Sequence, residues 1–174
     1  MSGMTDPDPD PDSDPDQTSA QPNPARIAAD PAVLAADLLL DGDARRALDH
    51  VRRHSWIDLV ASDHLLAATE RLVAALADPD LAADHRARLE ADRVAVDHPA
   101  DDHPALASAY RGEAAHLLSY DESLNSAAAG LSMQPRLSLS VRTPDAFATV
   151  FDPENLYPAV EGGTYPGPDR DPRE

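Results

Sequence analysis

The sequence predicts an α/β fold with a mainly parallel central sheet flanked by helices, and three observations predict it. Short apolar runs alternate with stretches of helical period along the middle of the chain, the pattern of repeated strand and helix units. Acids, serine or threonine, several followed by proline, stand where each strand gives way to a helix. The 174 residues, 42% of them apolar, suffice for one ordinary core rather than two.

Residues 1–24 carry six aspartates in an Asp-Pro repeat, no cation and almost nothing apolar, so they are read as a disordered acidic tail. The domain proper is expected over 25–151. Arg26–Ala29 is a short strand ending at Asp30, and Pro31 suits the first turn of a helix through Leu40. Asp43 caps a second helix through His54. Ile57–Ala61 is a strand, after which Ser62 caps a long helix with Leu65, Leu66, Thr69, Leu72, Val73 and Leu76 on one stripe.

Asp78 and Pro79 start another helix, expected to reach Ala95. After the loop VDHPADD, Asp102 caps a helix that Gly112 can end in the left-handed conformation. Ala114–Ser119 is a strand, Glu122–Ala129 a short helix stopped by Gly130, and Leu137–Val141 the last strand. Thr143 and Pro144 open a final helix to Phe151, and residues 152–174, rich in glycine and proline, are expected to be a loose tail.

Composition narrows the function classes. Thirty-two acids face 14 cations, every one of them arginine, for a net charge of −18. This lysine-free, alanine-rich surface suits a protein that works in molar salt, where the Debye length is about 3 Å and net charge hardly steers partners. A polyanionic partner is therefore compatible with the acidity. The absence of cysteine excludes disulfides, thiolate zinc sites and cysteine nucleophiles. Neither a membrane-spanning stretch nor a signal peptide is visible, which points to a cytoplasmic protein with no membrane partner. No phosphate loop or dinucleotide fingerprint occurs, and His54 with Ser55 lacks the glycine elbow of a hydrolase triad.

The segment HLLSYDESL, residues 116–124, places Ser119, Asp121 and Glu122 where a buried strand leaves the core, which is where open α/β sheets keep their chemistry. Together with DHPALASAYRGEAAHLLSYDESL from Asp102 and VRTPDAFA from Val141, the order of elements over residues 26–150 resembles a PIN-like domain, the three-layer fold of metal-dependent ribonucleases such as the toxins of toxin–antitoxin pairs. The resemblance implies an endoribonuclease that uses Mg²⁺ or Mn²⁺. It implies that Asp30, Asp102 and Asp121 are metal ligands and catalytic residues, with Ser119 in the place of the family's hydroxyl residue.

The chain departs from that pattern at the glutamate of the helix after the second strand, where Ala68 stands and where Glu70 or Asp63 is the candidate substitute. Each acid also has a plain reading. Asp30 and Asp102 suit helix caps, and Asp121 suits a solvated turn. Arg45, Arg46, Arg52 and Arg53 recur at helical spacing and could clamp an RNA backbone, or pair locally with Asp49. His98 and His103 among the aspartates of DHPADDHP do not form a specific ligand motif. The alternative to a nuclease is a PIN-like domain with degenerate ligation that serves as a binding module, or a toxin component held by an antitoxin. RNA, an antitoxin or other protein, and a second copy of the chain are thus the candidate partners.

Overall fold

A computed structural model of the chain describes residues 21–124, 126 and 138–173. Twelve elements carry the description: β1 Asn23–Ala29, α1 Pro31–Leu39, α2 Asp43–Arg52, β2 Asp58–Ser62, α3 Asp63–Leu76, α4 Pro79–Asp92, β3 Val94–Val96, α5 Pro104–Arg111, β4 Ala114–Leu118, β5 Ser140–Arg142, α6 Pro144–Val150 and α7 Pro153–Val160. The strands form one sheet in the order β3-β2-β1-β4-β5. Every pairing is parallel, and helices flank the sheet.

β1 is the central strand, longer than the four residues expected and begun inside the supposed tail at Asn23. Ile27, Ala28 and Ala29 are wholly buried, as a parallel strand covered on both faces requires. In α3 the predicted stripe is buried at Leu65, Leu66, Thr69 and Val73, whereas Leu76 at the helix end is exposed. Three caps are as expected: Ser62 Oγ accepts from Leu65 N–H at 3.0 Å, Asp78 Oδ1 accepts from the first amides of α4, and Thr143 Oγ1 accepts from Ala146 N–H. Asp43 is not a cap: it is the first residue of α2, and the N-cap position falls to Gly42, which has no side chain to bond the free amides.

Four further expectations need correction. The helix expected to reach Ala95 ends at Asp92, and Val94–Val96 is an edge strand paired with β2. Three residues are too few to show a period, so the β-branched pair was lost in the helix pattern. Gly112 is not left-handed (φ −86°) and the turn places Glu113 there instead (φ 54°). What Gly112 supplies is space, because a Cβ at that position would come within 2.7 Å of Val60 Cβ in the core. Gly112→Ala is expected to cost about 1–3 kcal/mol through overpacking, measurable as a shift of the urea midpoint at unchanged slope.

The last strand is Ser140–Arg142, without Ser138 and Leu139 of the expected Leu137–Val141, and Leu137 lies outside the described residues; the expected helix Glu122–Ala129 is helical at Glu122–Leu124 and Ser126, and its other residues lie outside the described ones. Finally, the C-terminal segment is docked rather than loose. Asp152 caps α7, Tyr157 meets Trp56 edge to face at 5.3 Å, and Tyr165 Oη lies 2.6 Å from His54 Nε2. Asp169 closes the contact by accepting from the Ser55 amide at 2.8 Å while its own N–H donates to the Arg53 carbonyl. Composition hid this because the anchors are single aromatic and acidic side chains, whose partners are distant in sequence. Removing residues 161–174 is expected to lower the melting temperature and red-shift the emission of Trp56, the sole tryptophan.

Candidate functional site

The sheet reverses its winding between β1 and β4, and in open α/β sheets the crevice outside the carboxyl ends at that reversal is where ligands bind. The register pairs Ala29 with Leu118, so the next residues, Asp30 and Ser119, stand side by side at the crevice. Asp30 occupies the N-cap position of α1 with extended backbone (φ −65°, ψ 153°), yet its carboxylate makes no cap bond. Instead Ser119 Oγ–H donates to Asp30 Oδ2 at 2.8 Å. The same Oγ accepts the Asp121 N–H at 3.0 Å.

Ser119 is therefore the hinge of the site: it is buried, and it orients the acid of one strand toward the turn that carries the other. The Asp30 reading as a mere cap is not what the geometry shows. Asp121 is exposed, and its Oδ1 accepts the Ser123 N–H at 2.9 Å. Hydrogen bonds from Ser123 hold its carboxyl below the usual carboxylate range, with a smaller contribution in the same direction from the charge of His103. Ser119, Tyr120, Asp121, Glu122, Arg142 and Thr143 line a small pocket of about 40 Å³ beside the crevice, with Val141 at its floor.

Asp102 is not the cap of α5. His103 fills that role, its Nδ1 accepting from Leu106 N–H at 3.4 Å, and Asp102 sits one residue earlier in a turn, its N–H donating to the Pro99 carbonyl. This leaves the Asp102 carboxylate exposed at the entrance to the helix. The two candidates for the fourth acid are placed elsewhere. Glu70 accepts from Arg86 of α4 at 2.7 Å, and Asp63 accepts from Arg93, whose hydrogen bond and charge lower the Asp63 carboxyl. Among the described residues no three histidines or acids converge as a ready metal cluster.

The four arginines also have partners within the domain. Arg45 donates to the Asp37 and Leu38 carbonyls, the open C-terminal end of α1, and Arg46 pairs with Asp43. Arg52 pairs with the buried carboxylate of Asp37 and with Asp49, and Arg53 lies 3.9 Å from Asp49. The local reading through Asp49 thus holds for Arg52 and Arg53 only. Asp37 was not singled out from sequence, although an acid in the midst of VLAADLLL is a visible signal for a buried ion pair.

Residues 21–173, nearly the whole chain, match a family of unknown function, DUF7384. The chain belongs to the DUF7384 family. No match is found among curated proteins, and none among solved structures. The DUF7384 match takes in the docked C-terminal segment as well as the sheet, so Tyr165 and Asp169 are part of the family's domain and not an appendage.

Proposed function

We propose that this DUF7384 chain is a PIN-like, Mg²⁺- or Mn²⁺-dependent endoribonuclease. The observation that carries the reading is the Asp30 carboxylate, released from capping α1 and held by Ser119 at the reversal of the sheet, with Asp121 tied to the same hydroxyl. The donors are hard oxygens, which suit Mg²⁺ or Mn²⁺; Asp30 and Asp121, linked through Ser119, would hold the ion, and Asp102, which does not converge with them in this structure, would be drawn in as the third ligand. Such an ion supplies an activated water for attack on a phosphodiester and absorbs charge at the phosphorus.

The chain's own groups do the rest. Ser119 fixes the orientation of Asp30, the Ser123 hydrogen bonds favour the ionised form of Asp121, and Asp102 is exposed one residue before the cap of α5. The test is Mn²⁺ titration and RNA cleavage at high salt by the wild type, Asp30→Asn and Asp121→Asn. Each substitution is expected to weaken Mn²⁺ binding by more than about tenfold and to remove cleavage with little change in melting temperature. Unchanged Mn²⁺ affinity in both variants would sink the assignment.

One observation favours a second reading, a binding module without catalysis: Glu70 is committed to Arg86, so the helix after β2 offers no free acid at that position. A protein partner such as an antitoxin, or a second copy of the chain, would then occupy the crevice. Mn²⁺ binding without cleavage of any RNA tested would favour it. No helix among the described residues is long and apolar enough to cross a membrane.

A further inference from the structure

His98 lies in the loop between β3 and α5 and is only 6% exposed. Its Nδ1 is 2.8 Å from the Pro99 carbonyl oxygen, which can only accept, so Nδ1 carries the hydrogen. In the neutral ring Nε2 then accepts from the Ser62 hydroxyl, 2.7 Å away. Ser62 is itself buried: its Oγ accepts from Leu65 N–H at 3.0 Å and its N–H donates to Ser108 Oγ at 3.1 Å. The Pro99 carbonyl accepts a second hydrogen bond, from the Asp102 N–H at 3.2 Å.

One imidazole therefore ties the end of β2 and the start of α3 to the turn that carries Asp102. The register of β1 on β2 pairs Ile27 with Leu59, and three residues further on it sets Ser62 level with Asp30. The loop is thus anchored to the same carboxyl edge of the sheet as the crevice. His64 adjoins the ring at 5.1 Å between centroids, and the Asp97 carboxylate accepts the backbone N–H of His98 at 3.0 Å.

We propose that His98 is a positioning residue: by bridging Ser62 and Pro99 it holds the turn 99–102, which carries Asp102, at the carboxyl edge of the sheet. The turn-holding part stands on the hydrogen bonds alone, and the consequence for metal binding rests on the nuclease reading. A buried histidine of purely structural importance would affect folding without a selective effect on this turn.

The experiment compares His98→Phe and His98→Gln with wild type by amide hydrogen exchange and Mn²⁺ titration. In His98→Phe the Asp102 amide is expected to exchange at least about tenfold faster than any change at the core amide of Ile27 explains, and Mn²⁺ affinity to fall about tenfold. In His98→Gln, whose side-chain oxygen can accept from Ser62, the affinity is expected to recover. If the Asp102 amide of His98→Phe changes only in step with Ile27, the proposal is overturned, whether or not Mn²⁺ binds. Faster exchange with unaltered Mn²⁺ affinity overturns the positioning of the ligand. A wild type that binds no Mn²⁺ overturns the nuclease reading, and the exchange data then decide the role of His98 by themselves.

Discussion

Arg52→Ala is expected to destabilise the domain by about 3 kcal/mol, because it leaves the Asp37 carboxylate without its charge partner in the core. Asp37 is 3% exposed, and Arg52 reaches it from α2 with both terminal nitrogens. Burial works against the Arg52 charge, but the hydrogen bonds and charges of Asp37 and, to a smaller extent, Asp49 together outweigh it and raise the guanidinium pKa above its ordinary value. Arg52 is partly exposed, so water entering the site offsets some of the loss and the figure lies at the low end for a broken buried pair.

The apolar double variant Asp37→Leu with Arg52→Met should recover most of that stability, since removing both charges leaves nothing unpaired. Urea denaturation of the three proteins checks this. A cost below about 1 kcal/mol for Arg52→Ala would place the pair with ordinary surface bridges.

Stability is also expected to fall as the pH drops below 6.5. Burial is the first cause of a lowered pKa at His50, His85 and His116; the charges of His54 and Arg53 reinforce it at His50, and that of Arg142 does so at His116. Each of these groups stays neutral in the folded state at a pH where the unfolded chain takes up protons. The sign follows: their contribution is fully present above the unfolded value of 6.5 and is lost as the pH falls toward the lowered folded values.

Every proton taken up on unfolding gives a slope of about 1.4 kcal/mol per pH unit. Asp63 and Asp169, whose carboxyls are lowered by hydrogen bonds from Arg93 and Ser55, add a further loss below the unfolded carboxylate value of 3.8. Unfolding free energies measured from pH 8 to pH 5 test the histidine part. His85→Leu removes one titrating group together with a buried Nδ1 that has no hydrogen-bond partner among the described residues, and it should flatten the curve. An unchanged slope in that variant would contradict the assignment.

The site was partly legible before the structure. Asp30, Ser119 and Asp121 lie at strand ends, and a strand end is visible as the place where an apolar run stops, so their meeting followed once the strands were parallel and adjacent. At the start of α5 the cap is His103 rather than Asp102, since a run of DDHP offers three candidates one residue apart and only backbone geometry chooses among them. In the sequence His98 belongs to no specific ligand motif. Its actual contact, Ser62, is 36 residues away, and no local pattern announces it.

By itself the sequence determined the alternation of strands and helices, the caps at Ser62, Asp78 and Thr143 and the apolar stripe of α3, because these depend on periodicity and on side chains that bond within a few residues of their own position. Tertiary structure alone decided that Val94–Val96 would leave helical company for the edge of the sheet and that Glu70 would turn to Arg86. It also decided that the proline-rich end would dock on His54, Ser55 and Trp56. These outcomes rest on partners 16 to 114 residues apart, and whether two such groups meet is set by strand order and helix packing, which no local spacing encodes.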